Sequence, residues 1–268
     1  MKEWVRDLPT KSKKIFSQSG QDGILENIFL NIDPTTEYCI EFGFNTDTLT
    51  GGSGPNISNL VVNHGWECLL LDGGNENTEI NLHKHFITPD NVCELFEKYN
   101  VPPVPGYIGI DVDSTDLWLF KEVVKKYRAD VFTVEFNSNF PVTEKITIVP
   151  DPIGRWEGDM CYGASLGALN LVAIENGYSL VHVDGVLDAF FIRNDLIDDE
   201  TDVISPDISY WRGLPLRNHY QLTQRWGTNT EKIEEKLNQL MDYGTYTTSG
   251  SIQSSIEAAR PVCEKYIL

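Results

Sequence analysis

Tyr38-Cys39-Ile40-Glu41-Phe42-Gly43 is the stretch on which the fold turns. It is a short apolar run that stops in a Gly/Asn/Thr/Asp cluster, the pattern of a buried strand entering a loop. The pattern returns three times. It is seen at Trp66 to Asp72, at Tyr107-Ile108-Gly109-Ile110-Asp111-Val112-Asp113, and at Asp130-Val131-Phe132-Thr133-Val134-Glu135-Phe136. Helical patterns lie between these runs. Residues 15–30 carry Ile24, Leu25, Ile28 and Phe29 at helical spacing. Pro55 suits a first helical position before Ile57, Leu60 and Val61, and Gly65 ends that segment. Thr88 to Tyr99, Leu117 to Tyr127 and Leu166 to Asn176 read the same way, and Ser179–Val183 with Ala189–Ile192 reads as a closing antiparallel pair. Strands without two-residue alternation, separated by helices, predict an α/β fold with a doubly wound, mostly parallel sheet covered on both faces. After Leu196 the chain turns acidic and polar, with one clear helix at Thr230 to Tyr243. Residues 1–196 are therefore the expected core, and 197–268 a C-terminal extension or lid.

The chain has 268 residues, 41% of them hydrophobic, which suits a globular protein with a sizeable core. Asp and Glu number 40 against 21 Lys and Arg, a net charge of -19. Such a field repels phosphate backbones and anionic membranes, so neither nucleic acid nor membrane is an expected partner, and a small molecule is. No apolar run approaches a membrane span, and the charged start Met-Lys-Glu-Trp-Val-Arg-Asp does not read as a secretory signal. The five cysteines are scattered without a C-x-x-C pair, which predicts a reducing, cytoplasmic setting.

Ligands of doubly wound folds sit beyond the carboxyl ends of the strands. There this sequence places Glu41, Gly43 and Asn45, then Asp72, then Asp111 and Asp113, then Glu135 and Asn137. Asp72 follows Gly54 by 18 residues, near the spacing of an acid that accepts ribose hydroxyls. The strict G-x-G-x-x-G pattern of dinucleotide folds is absent. Asp111, Asp113, Glu135 and Asn137 offer oxygen ligands for Mg²⁺ or another divalent cation. One of the acids could equally be a metal-free general base, or the group could cap helices. On an extended strand Asp111 and Asp113 would share a side.

Other signals point elsewhere. Gly163-Ala164-Ser165-Leu166-Gly167 matches a nucleophile elbow, and Asp184 or Asp188 followed by His219 would complete a serine hydrolase; the residues before it, 156–161, make a poor strand. His83 and His85, in His-Lys-His, could both ligate a metal, although two histidines near a loop are more often surface residues. Trp211 to Arg217 is an aromatic, basic island that either closes over an anionic or sugar-like substrate or is a packed loop.

Several blocks carry a family resemblance: Phe16-Ser17-Gln18-Ser19-Gly20-Gln21-Asp22-Gly23-Ile24-Leu25, Ile40-Glu41-Phe42-Gly43, Trp66 to Gly73, Ile110 to Asp113 with Asp116-Leu117-Trp118, Val134-Glu135-Phe136-Asn137, Tyr162 to Leu166 and Asp188 to Arg193. Over residues 15–196 the chain resembles the FkbM-like S-adenosylmethionine-dependent methyltransferases, of Rossmann-like fold, and above all their bacterial relatives. The resemblance implies methyl transfer from S-adenosylmethionine to an oxygen of a small-molecule acceptor. It implies Glu41 and Gly43 in the cofactor loop, with Asn45 two residues on, Asp72 on the ribose, and Asp111 and Asp113 at the active site; Glu135, from its place at a strand end, is a further catalytic candidate. Asn45 stands where the family loop carries a second glycine. A non-catalytic binding protein on the same fold is the remaining alternative.

Overall fold

The computed structural model describes residues 1–44, 46–50, 54–151, 156–184, 187–197, 207–213 and 228–266. Seven strands form one sheet: β1 (Tyr38–Phe42), β2 (Glu67–Asp72), β3 (Leu82–Lys84), β4 (Tyr107–Ile110), β5 (Val131–Glu135), β7 (Tyr178–Asp184) and β8 (Asp188–Arg193). Their order is β3-β2-β1-β4-β5-β8-β7. All neighbours from β3 to β5 are parallel, and β8 is antiparallel to both β5 and β7. This is the α/β arrangement typical of class I methyltransferases. A separate pair joins β6 (Ile146–Ile148) to β9 (Leu240–Asp242).

The strands look uniformly apolar because each face has its own helices. Ile40, Phe42, Leu69, Leu71, Ile108, Ile110, Phe132 and Val134 meet α4 (Val92–Lys98), α5 (Asp116–Lys126) and α6 (Leu166–Glu175). The alternate positions Cys39, Leu70, Tyr107, Val131, Phe190 and Ile192 meet α2 (Gln21–Asn31) and α3 (Ser58–His64), with Val5 of α1 (Glu3–Asp7) in the same cluster. The short helix α7 (Asn194–Ile197) follows β8. Among the described residues no helix is long and apolar enough to cross a membrane.

Three expected elements differ. The helix expected over 15–30 begins at Gln21, because the Asp22 carboxylate takes the amides of Ile15, Phe16 and Ser17 at 2.7–2.8 Å and holds them out of a helix. Helix α3 begins at Ser58 instead of Pro55. The single helix expected over 230–243 is α8 (Thr230–Leu237), strand β9 and α9 (Tyr243–Ser249). Leu240 and Met241 are buried by pairing with β6, and the Asp242 carboxylate starts α9 by accepting from Thr245 N at 2.6 Å. Helix α10 (Ile252–Cys263) packs beside them, burying Ala259 and Cys263 with Phe140 and Ile146.

His182 on β7 is buried beside Phe190, and its Nδ1 has no hydrogen-bond partner. Burial pushes its pKa down from 6.5 to about 4, against a smaller upward pull from Asp184. A depressed histidine contributes stability above its unfolded pKa and loses it as pH falls toward the folded one. From pH 7 to pH 5 that loss is about 2 kcal/mol. His182→Phe should therefore gain Tm relative to the unaltered protein as pH falls over this interval, the contribution of the acids being common to both. Parallel acid limbs would contradict the assignment.

Candidate active site

Register and two-residue alternation place four acids in a row on one face of the sheet, at the carboxyl edge of β1, β4 and β5. Glu41 opposes Gly109 on β4, and Asp111 continues the Tyr107–Gly109 side. Glu135 continues the Val131–Thr133 side and pairs with Asp188. Because β8 runs the other way, its first residue reaches this edge. The order reverses between β1 and β4, the crevice where doubly wound folds take ligands.

Gly43 lines that crevice with φ +72, and a Cβ there would lie 1.7 Å from the Asp111 carbonyl oxygen. Glu41 beside it holds the chain entering α3, accepting from Asn56 N at 3.1 Å and Ile57 N at 3.0 Å. Burial raises the Glu41 carboxyl to about 7, the two amide bonds pull it down, and Asp188 adds to the rise. Asn45 lies outside the described residues. Asp72 accepts through Oδ1 from Gly74 N at 2.7 Å, Asn75 N at 2.5 Å and Asn75 Nδ2 at 3.0 Å. Its Oδ2 takes no hydrogen bond from the described residues.

A cavity of about 710 Å³ opens here, within the usual range for small-molecule sites. Asp72, His85, Phe86, Ile87, Asp111, Asp113, Glu135, Asn139, Trp156, Met160 and Tyr162 are among the residues that line it. His83 and His85 are not loose surface residues. His83 lies on β3, stacked on Tyr99, and His85 contacts the Tyr99 hydroxyl at 2.8 Å.

The acids group differently from the sequence expectation. Asp111, Glu135 and Asp116 bring carboxylate oxygens within 4.8 Å of one another. Asp113 stands outside this group. Its φ is +59, so the chain turns there and the shared side expected of Asp111 and Asp113 is not realised. The same turn starts α5 and brings Asp116 inward, where its carboxylate accepts from Val112 N at 2.8 Å and Ser114 N at 3.0 Å. Asn137 is committed elsewhere. Its Nδ2 donates to the carbonyls of Met160 and Tyr162, both at 2.9 Å, and its Oδ1 accepts from Asn139 N and Nδ2. It shapes the cavity wall and has no free amide oxygen directed at the acids. Lys236 of α8 grips the same wall from outside, through Glu157 at 2.9 Å and Asp159 at 3.3 Å.

Burial raises Asp116 to about 7, with the amide bonds opposing it. Burial first, and the neighbouring acids second, hold Asp111 and Glu135 well above the ordinary carboxylate range. Asp111 is exposed to cavity water, so solvent moderates its shift, whereas Glu135 and Asp116 are buried. Glu135 Oε2 is buried without a partner among the described residues. An orphaned acceptor among three clustered carboxylates fits an oxygen-seeking cation such as Mg²⁺ or Mn²⁺.

Ser165 is buried and caps α6, accepting from Ala168 N at 3.2 Å while its hydroxyl donates to Glu144 O at 2.6 Å. No strand runs into it, its backbone is ordinary (φ -66, ψ 156), and His219 lies outside the described residues. Among the described residues nothing forms a hydrolase triad with Ser165. Trp211 is a buried residue, and positions 214–217 lie outside the described residues.

No protein-family model matches the chain, and no curated protein sequence matches it either. Among solved structures it is similar to the MycE methyltransferase from the mycinamycin biosynthetic pathway, in complex with Mg, SAH and mycinamycin VI. The two share 17% identity over 63% of this chain and 47% of that one, with a TM-score of 0.37, so this chain spans about half the length of that protein.

Proposed function

We propose that this protein transfers a methyl group from S-adenosylmethionine to an oxygen of a small-molecule acceptor in the 710 Å³ cavity. The observation that carries this reading is the crevice between β1 and β4. There Gly43 brings backbone against backbone at Asp111, with an open Asp72 oxygen on one side and three clustered carboxylates on the other. The sequence blocks that resemble FkbM-like enzymes converge on the same edge.

In this reading Asp72 Oδ2 accepts from the ribose hydroxyls, and Gly43 lets the donor lie against the β1 loop. Glu41 shapes that loop through Asn56 and Ile57. The acceptor enters past Trp156, Met160 and Tyr162. Its oxygen attacks the methyl carbon in line as the carbon–sulfur bond breaks, so alignment supplies much of the rate. With no cation bound, the released proton goes to a carboxylate of the cluster, and the raised affinity of Asp111 and Glu135 for protons suits them to receive it. Asp111, Asp116 and Glu135 would hold a divalent cation, which when bound makes an acceptor hydroxyl easier to deprotonate. Asp113, at the rim, remains a candidate for acceptor contact.

Calorimetric titration with S-adenosylhomocysteine tests the donor site. Hydrogen bonds to a charged acceptor are worth about 1.5–3 kcal/mol, so Asp72→Ala should weaken binding roughly 10- to 100-fold. Equal affinity in the two proteins would remove the ribose assignment.

A further inference from the structure

We propose that Asp188 binds the α-ammonium group of the methyl donor's amino-acid portion, in a narrow cleft beside the main cavity. This deepens the methyl-donor reading and rests on it. The cleft has a volume of about 30 Å³, and Gln18, Gly43 and Asp111 line both it and the larger cavity. It has room for one small polar group.

The chemistry of its walls selects the sign of that group. Glu41, Asp111 and Asp188 contribute carboxylates, Gln18, Gln21 and Asn56 contribute amides, and among the described residues no Lys or Arg lines it. A carboxylate entering here would meet three others. An ammonium, with three donors and no acceptor, meets partners.

Asp188 itself supplies the second observation. It is 6% exposed, and both Gln21 Nε2 (2.8 Å) and Asn56 Nδ2 (3.4 Å) donate to its Oδ2. These two amides fix the carboxylate. Its Oδ1 takes no hydrogen bond from the described residues, although Asp188 lines the cleft. Glu41 differs, since Asn56 N and Ile57 N occupy one oxygen each. Asp188 is therefore an open acceptor of the cleft, with Asp111 shared between the cleft and the larger cavity, and an ammonium satisfies it with an ion pair.

The placement orients the whole donor. The ribose sits at Asp72 in the wide cavity and the ammonium at Asp188 in the narrow arm. The sulfur between them then falls beside Gly43 and Asp111, two of the three residues common to both spaces, next to the carboxylate cluster.

Two ligands separate the ends of the donor: S-adenosylhomocysteine, and 5′-methylthioadenosine, which lacks the amino-acid portion. Asp188→Asn should weaken S-adenosylhomocysteine at least tenfold and leave 5′-methylthioadenosine within about twofold. Deamino-S-adenosylhomocysteine provides a measurement on the unaltered protein, independent of how the variant folds, and should bind at least tenfold more weakly than the parent ligand. Equal loss of both ligands in the variant, or undiminished binding of the deamino compound, would overturn the ammonium assignment while leaving the donor site in place. Failure of the unaltered protein to bind either adenosyl ligand would overturn both readings.

Discussion

Gly43→Ala is expected to unfold the cofactor crevice and eliminate S-adenosylhomocysteine binding. Two penalties add at this position. An L-residue at φ +72 pays roughly 1–2 kcal/mol for the left-handed backbone. A methyl group would also stand 1.7 Å from the Asp111 carbonyl oxygen. The obstacle is backbone, so no rotamer change relieves it, and overpacking of this kind costs about 1–3 kcal/mol. The sum is about 2–5 kcal/mol, a fall in Tm of the order of 5–20 °C for a chain of this size. To refold around the methyl, β1 and β4 must separate beyond their ends, which displaces Asp111 from Asp116 and Glu135. Thermal denaturation and titration of the same preparation check both halves. A variant with unchanged Tm and unchanged affinity would show that the crevice is looser than the register of β1 and β4 implies.

The second large effect concerns the carboxylate cluster and couples pH to cation. Glu41 and Asp116 have folded pKa values raised to about 7, and Asp111 and Glu135 are also held well above the ordinary carboxylate range. An acid whose folded pKa exceeds its unfolded value contributes stability that is complete below the unfolded pKa, near 4. That contribution is lost as pH rises through the folded pKa. In chelator, Tm should therefore carry a falling contribution from about pH 4 to beyond pH 7. A divalent cation binds the ionised oxygens and reverses the loss. At a hundredfold excess over its Kd it adds about 2.7 kcal/mol, or roughly 5–10 °C. The gain should be large at pH 8 and small at pH 5, where protons compete. Comparing chelator with Mg²⁺ or Mn²⁺ at each pH cancels the separate contribution of His182. Glu135→Gln should abolish the cation gain and raise the chelator-treated Tm at pH 8, because it removes a buried charge that has no partner. If the cation shifts Tm at neither pH, the cluster holds protons instead, and one of its acids is a metal-free base.

The order of elements was written in local chemistry. Four apolar runs ending in Glu41, Asp72, Asp111 and Glu135, with helical periods between them, specify a parallel α/β sheet, because a strand covered on both faces must be apolar throughout. The carboxyl edge was legible for the same reason, as each run stops where the chain meets solvent or ligand. The helix start at Ser165 and the antiparallel pair after it were also local features. What the sequence could not contain is the way separate segments meet. Asp116 joins Asp111 and Glu135 because Asp113 turns the chain, and a left-handed residue leaves no periodic trace. Asn137 has the spacing of a ligand, yet two carbonyls 23 and 25 residues further on claim its amide. Asp188 reaches the edge because β8 is reversed, which places the start of a strand where its neighbours end. Periodicity records which face of an element is buried, a property of neighbouring residues. Which acids share a cleft depends on strand order, direction and register, and tertiary packing alone decides these.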